Sequence, residues 1–126
     1  MIVIDGSALF AILFDEPDRR RCETALTTTD DVLISAASLT ELLIVAAGKG
    51  IFDTMQAFVD ALAPTVVPLT AGRARAAADA YRIWGKGFHP AKLNLGDSFA
   101  YALAIEHGCP LLFVGNDFAL TDVTAA

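Results

Sequence analysis

The sequence predicts an α/β fold with a mainly parallel sheet of four to five strands. Four short apolar runs recur along its 126 residues, at 2–4, 32–35, 66–69 and 111–114. Unbroken apolar runs of this length are typical of strands that are buried on both faces. Two segments of helical character separate each run from the next, and helical crossovers connect parallel strands. Right-handed crossovers then bring every strand-to-helix turn to one edge of the sheet.

The first strand, Ile2–Ile4, is expected at the centre of the sheet because all three residues are β-branched or apolar. Asp5 ends this strand, at the edge where open α/β sheets bind their ligands. A short apolar helix is predicted over 8–14, with Ser7 near its N-cap. Pro17 suits the first position of a second helix, which is expected to continue to about residue 27.

The second strand, 32–35, precedes a helix that is predicted to open at Ser38. Ser38 and Glu41 have the Ser-x-x-Glu spacing of a capping box, so Glu41 has a purely structural explanation as well as a functional one. Apolar residues at helical spacing over 52–62 predict an amphipathic fourth helix. The strand at 66–69 is expected at the sheet edge because Pro68 cannot donate a backbone hydrogen bond.

The last third of the chain repeats the pattern of two helices and a strand. Thr70 is predicted to cap an alanine-rich helix that ends near Trp84, and Asn94 to cap a helix over 95–107. The strand at 111–114 follows, and 121–123 is expected to form a weak final strand or an extended tail. A polar, glycine-containing loop connects the two helices.

Basic residues are concentrated between residues 73 and 92, where the only acid is Asp79. Five of the nine bases lie there: Arg73, Arg75, Arg82, Lys86 and Lys92. A solvated helix face and a phosphate-contacting strip beside an acidic site are equally consistent with this distribution.

Length and composition limit the classes of function. A chain of 126 residues fits one domain, and its net charge of −6 argues against a simple nucleic-acid binder. Cys22 and Cys109 lack the spacing of a zinc site, and two free thiols suggest a reducing cytoplasm. No apolar run has the length of a membrane span, so no membrane association is expected.

Four acidic residues are expected at the carboxyl edge of the sheet. Asp5 and Asp117 follow strands, whereas Glu41 and Asp97 lie in the first turns of helices; Asp122 is a possible fifth member. Carboxylates packed closely together either hold protons or bind a cation. Oxygen ligands without ligating Cys or His favour Mg²⁺ or Mn²⁺. Carboxylates that hold such ions are typical of enzymes that hydrolyse phosphodiesters. A bound ion would also allow an acidic cavity to bind the phosphates of RNA.

The segments that carry these acids resemble the PIN domain, and most of all the VapC toxins of bacterial toxin–antitoxin pairs. The similarity lies in Ile-Val-Ile-Asp-Gly-Ser-Ala at 2–8, Ser-x-x-Glu at 38–41, Leu-Asn-Leu-Gly-Asp-Ser-Phe-Ala-Tyr-Ala-Leu-Ala at 93–104, and Leu-Leu-Phe-Val-Gly-Asn-Asp-Phe with Thr-Asp at 111–122. The resemblance extends over 1–126 as a single PIN domain. It implies a three-layer α/β/α fold with a twisted sheet.

The resemblance also implies an activity and a set of partners. The activity is that of a Mg²⁺-dependent endoribonuclease in which Mn²⁺ substitutes, with Asp5, Glu41, Asp97 and Asp117 as catalytic residues. Asp5 and Asp97 are the firmest metal ligands, and Glu41 and Asp117 complete the site. The implied partners are RNA, a cognate VapB-type antitoxin and a second copy of the chain in a homodimer, in the cytoplasm.

Other classes of protein are compatible with parts of this pattern. A haloacid-dehalogenase-type phosphatase also opens with a strand-end Asp, but it needs a second Asp at the position of Ser7. A receiver-like signalling module needs a phosphorylatable Asp after the middle strand, where 35–37 is Ser-Ala-Ala. A PIN-like RNA-processing nuclease without a toxin role, and a non-catalytic acidic metal-binding module, both remain open.

Overall fold

A computed structural model describes residues 1–126 and contains four strands and six helices. The helices occur in pairs between successive strands, in the order that the sequence predicts. The elements are β1 Ile2–Ile4, α1 Gly6–Leu13, α2 Arg19–Thr27, β2 Val32–Ser35, α3 Ala36–Gly48, α4 Phe52–Leu62, β3 Thr65–Val67, α5 Ala71–Trp84, α6 Leu95–His107 and β4 Leu111–Leu112.

The four strands form one sheet in the order β3-β2-β1-β4, and every neighbouring pair is parallel. In register, Val3 lies opposite Leu33, and Ile4 lies opposite Leu112. β1 is therefore internal and β3 is at the edge, as predicted. β3 ends before Pro68, which has no N–H to donate. The C-terminal residues add only a single bridge, between Leu111 and Ala125, so they form no fifth strand.

Two hydrophobic clusters cover the two faces of the sheet. Side chains alternate along β1, so that Ile2 and Ile4 contact the cluster formed with helices α1 to α4, while Val3 contacts the cluster formed with α5 and α6. Val3, Ile4 and Leu112 have no exposed surface. These two packed faces confirm the predicted three-layer α/β/α arrangement.

The helix starts after β1 and β2 differ from the prediction. α1 begins at Gly6 with Asp5 as its N-cap, not Ser7, because the Asp5 carboxylate accepts a hydrogen bond from Ser7 N–H at 3.1 Å. α3 begins at Ala36, since Ser35 caps it by accepting from Ala37 N–H at 3.2 Å. In both cases the residue at the strand end is the cap, so the helix follows the strand without a loop.

Two smaller predictions about the starts of α2 and α3 are also wrong. Ser38 lies inside α3, and no capping box joins it to Glu41, because Ser35 already caps the helix. α2 begins at Arg19, so Pro17 lies two residues before the helix instead of at its first position. The predicted caps of the last two helices are confirmed: Thr70 accepts from Arg73 N–H at 3.2 Å, and Asn94 caps α6.

None of the six helices combines the length and the apolar character that crossing a bilayer requires. The longest, α5, has 14 residues.

Candidate functional site

The four predicted carboxylates line one open cavity of about 210 Å³ at the carboxyl edge of the sheet. They come from the end of β1, from α3, from the start of α6 and from the loop after β4. Uncharged polar residues and three apolar side chains complete the wall. The lining residues are Asp5, Gly6, Ser7, Phe10, Ser38, Glu41, Leu42, Val45, Asn94, Asp97 and Asp117.

Asp5 is fixed by the turn that joins β1 to α1. Its Oδ2 accepts hydrogen bonds from both the backbone N–H and the hydroxyl of Ser7, at 3.1 and 2.6 Å. The same Ser7 hydroxyl accepts a hydrogen bond from Val114 N–H at 3.0 Å. Ser7 therefore connects the Asp5 carboxylate to the segment that leads from β4 to Asp117.

Asp97 is fixed by the first turn of α6. Its carboxylate accepts from Asn94 N–H at 3.2 Å, and the Asn94 side chain accepts from Asp97 N–H at 2.9 Å. This is a reciprocal capping box. Asp97 is only 5% exposed. The Asp97 carboxylate therefore has both a structural and a functional role, because it caps α6 and also lines the cavity.

Glu41 reaches from α3 towards the start of α6, where Gly96 leaves space for it. A Cβ atom at residue 96 would overlap the carboxylate of Glu41. This role of Gly96 is not among the predictions from the sequence. The signal that could have revealed it is a glycine directly before Asp97, inside the first turn of a helix, where glycine is otherwise unfavourable.

Asp117 lies in the exposed loop that follows β4. The next residue, Phe118, is buried and packs against Phe113 with ring centroids 5.0 Å apart. This aromatic contact holds the loop against the domain, so the loop presents Asp117 at the cavity without a regular secondary structure around it.

Burial and mutual repulsion disfavour the charged forms of Asp5, Glu41 and Asp97. Burial, with smaller contributions from the Asp5, Asp117 and Glu41 carboxylates, raises the pKa of Asp97 to about 7, although the hydrogen bond from Asn94 N–H opposes the shift. Asp97 thus exchanges its proton near neutral pH.

The pKa values of two neighbouring acids are raised as well. Burial raises the pKa of Asp5, and the Asp117 carboxylate adds to it, while the hydrogen bonds from Ser7 oppose it. Burial and the Asp5 carboxylate raise the pKa of Glu41. A cation in the cavity would favour the charged form of all three groups.

The donor set suits a hard divalent cation, although the carboxylates line the wall instead of converging on one point. No three Asp, Glu, His or Cys side chains are gathered closely enough to hold a metal ion together. The cavity offers carboxylate oxygens and, in addition, the Ser38 hydroxyl, which is buried and has no hydrogen-bond partner. Oxygen donors of this kind fit Mg²⁺ or Mn²⁺. Because the carboxylates do not meet at one point, the metal ligands named from the sequence stay a prediction.

Asp122 does not line this cavity. Its carboxylate accepts a hydrogen bond from the Tyr101 hydroxyl at 2.5 Å, and that hydroxyl accepts from the Trp84 indole N–H at 2.9 Å. His89 packs against Trp84, and its Nδ1 accepts from Ala91 N–H. These groups hold the C-terminal segment and the loop before α6 in place.

A comparison with protein families identifies the family of this chain. The PIN domain matches residues 2–123. The chain belongs to the PIN-domain family.

Within that family the PIN-domain chain is similar to VapC ribonucleases. It is 44% identical over 127 residues to a ribonuclease VapC of Mycolicibacterium smegmatis, covering 98% of each chain. It is 43% identical over 125 residues to ribonuclease VapC30 of Mycobacterium tuberculosis, covering 97% of this chain and 95% of the relative. This relationship confirms the predicted membership in the VapC ribonucleases.

Solved structures confirm the PIN-like fold. M. tuberculosis VapC20, described as a sarcin-ricin loop cleaving toxin, superposes with a TM-score of 0.77 at 14% identity, covering 100% of this PIN-domain chain and 98% of VapC20. A toxin–antitoxin complex from Klebsiella pneumoniae gives 0.72 at 21% identity, with 100% and 97% covered. VapBC2 from Rickettsia felis, bound to a promoter DNA fragment, gives 0.68 at 17% identity, with 100% and 98% covered.

Proposed function

We propose that this PIN-domain chain is a divalent-metal-dependent endoribonuclease and the toxin of a toxin–antitoxin pair. The observation that carries the proposal is that four carboxylates, from four separate elements, line one solvent-open cavity. A protein gains no stability from such an arrangement, because burial and neighbouring carboxylates disfavour the charged forms of Asp5, Glu41 and Asp97. A bound cation gives the arrangement a use.

Asp5 and Asp97 are the proposed principal ligands of Mg²⁺, with Mn²⁺ as a substitute, and Glu41 and Asp117 complete the site. When bound, the ion lowers the pKa of a water ligand and neutralises charge on the attacked phosphate. The carboxylates have to move closer together before three of them share an ion. The unpartnered hydroxyl of Ser38 can then donate to one of the rearranged oxygens.

The protein residues have separate tasks in this proposal. Ser7 and Asn94 hold the Asp5 and Asp97 carboxylates at fixed places through the hydrogen bonds that they donate. Because the pKa of Asp97 is about 7, roughly half of its side chains carry a proton at neutral pH. Ion binding displaces that proton, so we expect divalent-ion affinity to increase between pH 6 and pH 8.

A VapB-type antitoxin is the proposed protein partner, and the surface beside the cavity supports it. Phe10 and Val45 line the apolar side of the cavity. The exposed Ile44 lies on the same helix as Val45, and the exposed Phe14, directly after α1, stacks on Phe10 with ring centroids 5.9 Å apart. A segment with an apolar face and a basic side chain would cover these residues and neutralise the carboxylates. We further propose a homodimer, a single functional PIN unit over 1–126, and a cytoplasmic location, which two free thiols suit.

Cleavage of RNA by the purified chain tests this function. We expect Mn²⁺ or Mg²⁺ to be required, EDTA to abolish cleavage, and Asp5→Asn and Asp97→Asn to be inactive while remaining folded. The matched control is Asp60→Asn, an exposed acid on α4 outside the cavity. Full cleavage by either cavity variant contradicts the proposal. Cleavage without growth arrest on expression indicates an RNA-processing nuclease, and ion binding without cleavage indicates a non-catalytic module.

A further inference from the structure

The loop between α5 and α6, residues 85–94, is basic and aromatic within an acidic protein. No Asp or Glu occurs from residue 80 to residue 96, whereas Arg82, Lys86 and Lys92 all lie there. The whole chain carries a net charge of −6. This loop, which we name the α5–α6 loop, is therefore a local positive region beside a negative cavity.

Ion pairing separates the basic residues of this part of the chain into two groups. Arg73 pairs with Glu106 at 3.2 Å, and Arg82 pairs with Asp79 at 3.5 Å. Lys86 and Lys92, in the loop, make no ion pair, and both are exposed; Arg75, on α5, is likewise exposed and unpaired. The two loop lysines thus keep their charges available for an external anion. This difference favours the phosphate-contacting interpretation for the loop and the structural one for the two paired arginines.

Phe88, between the two lysines, is the most exposed aromatic side chain of the protein, at 63%. It meets Tyr81 edge to face, with ring centroids 6.0 Å apart and an interplanar angle of 78°. This contact orients the Phe88 ring while most of its surface stays open. An open aromatic ring between cations is the arrangement on which unstacked nucleobases bind in single-strand-binding proteins.

The α5–α6 loop is held in one shape by its own hydrogen bonds. Lys86 N–H donates to the Leu93 carbonyl at 2.9 Å, and Leu93 N–H donates to the Trp84 carbonyl at 3.1 Å, so the two ends of the loop are joined. Lys92 has a φ of +54°, a left-handed conformation that a lysine rarely adopts. A strained residue in a closed loop indicates a shape that the surrounding contacts enforce.

The loop ends at the wall of the carboxylate cavity. Lys92 is two residues before Asn94, which lines that cavity and caps α6. Two residues of chain span at most about 7 Å, so the Lys92 backbone lies within that distance of Asn94. A strand of RNA that leaves the cavity past Asn94 therefore meets the end of the loop at Lys92.

We propose that the α5–α6 loop binds single-stranded RNA beside the bond to be cleaved. Lys86 and Lys92 contact backbone phosphates, and Phe88 stacks on one unstacked base. The inference rests on the proposed ribonuclease function and makes it specific: the substrate must present an unpaired base next to the scissile bond. Duplex RNA, whose bases are stacked within the helix, lacks that element.

Fluorescence anisotropy with a short fluorescein-labelled RNA of mixed sequence tests the proposal. All variants are made in the Asp97→Asn background and measured in EDTA, so that binding is separated from cleavage. We expect Phe88→Ala to weaken binding by about tenfold, within the range for loss of one stacked base. Phe88→Tyr should retain binding and Phe88→Leu should lose it, because only tyrosine preserves an aromatic face.

The lysines have a separate signature in the salt dependence of binding. Replacing Lys86 and Lys92 together by Ala should reduce the slope of log K against log salt concentration by about 1.4, since each phosphate contact to a single strand contributes about 0.7. Arg20→Ala and Phe52→Ala, which change an exposed base and an exposed phenylalanine elsewhere, are the matched controls. The blunt duplex of the same sequence should bind no more weakly to Phe88→Ala than to the parent.

Three outcomes overturn the inference. The first is that Phe88→Ala binds single-stranded RNA as tightly as the parent does. The second is that Phe88→Ala loses as much affinity for the duplex as for the single strand. The third is that Phe88→Ala loses binding to a co-expressed antitoxin but keeps RNA binding, which would make the loop a protein-docking site. Cleavage of the same RNA by the wild-type chain in Mn²⁺ is measured in parallel. If the RNA is cleaved but Phe88→Ala does not change its binding, only the proposed role of the loop is rejected. If binding depends on Phe88 but no RNA is cleaved, only the proposed ribonuclease function is rejected.

Discussion

Replacing Asp97 by Asn should stabilise the metal-free protein at alkaline pH. Asp97 is buried beside three other carboxylates, so its charged form is costly in the folded state. Asparagine has nearly the same shape, and its side-chain oxygen can still accept the hydrogen bond from Asn94 N–H. The substitution therefore removes the charge and keeps the cap of α6.

The size of this effect follows from the shifted pKa of Asp97. The shift from 3.8 to about 7 means that the unfolded chain releases this proton at lower pH than the folded chain does. Stability is therefore lost as the pH rises from about 4 to about 7. Three pKa units correspond to about 4 kcal/mol, and screening by water in the open cavity reduces the expected effect to about 2 kcal/mol.

Urea unfolding in EDTA, followed by the fluorescence of Trp84, measures this difference. At pH 8 we expect Asp97→Asn to exceed the wild type by about 2 kcal/mol in unfolding free energy, or about 6–8 °C in Tm. The difference should shrink as the pH is lowered towards 4 and disappear well below the unfolded-state pKa of 3.8, where the acid is protonated in both states. Asp60→Asn, an exposed acid, is the control. A difference of zero at pH 8, or one that does not change with pH, refutes the reasoning.

Three further predictions concern the same cavity and the segments that support it. Mn²⁺ should raise the Tm of the wild type in a thermal-shift titration and raise that of the asparagine variant less, because the ion binds the folded state; equal shifts contradict this. Gly96→Ala should lower RNA cleavage at least tenfold with a Tm within a few degrees of wild type, since its methyl group displaces only the flexible end of Glu41. Gly48→Ala is its control, because the added methyl group contacts no other atom there. If the Gly96→Ala protein cleaves RNA normally, the proposed role of Glu41 is rejected. Tyr101→Phe should cost about 1–3 kcal/mol in urea unfolding because the Asp122 carboxylate loses its hydrogen bond; an unchanged midpoint argues that this bond contributes nothing.

The topology and the approximate position of the site could be predicted because both follow from local patterns. Apolar runs and helical periods define the order of strands and helices, and parallel crossovers then place the residues after each strand at one edge. That rule alone brings Asp5 and Asp117 to the same cavity. Glu41 and Asp97 follow because they lie in the first turns of helices that begin at the same edge.

The details that were not predicted depend on contacts between distant segments or on a residue with two roles. Asp5 and Ser35 each end a strand and cap the next helix, so the helices predicted to start at residues 8 and 38 start at Gly6 and Ala36. The space that Gly96 leaves for a side chain of α3 becomes visible only when the two helices meet. Asp122 follows Asp117 in the same C-terminal segment, but its hydrogen bond with Tyr101 holds it outside the cavity.

The Ser7 hydroxyl ties two otherwise independent parts of the site into one mechanical unit. It donates to Asp5 and accepts from Val114, at the start of the segment that carries Asp117. We expect a displacement at one end of this relay to be transmitted to the other, so that the two carboxylates move together. Slow exchange broadening in NMR spectra of residues 5–7 and 114–117 should accordingly report a single common rate, and removal of the hydroxyl in Ser7→Ala should split it into two.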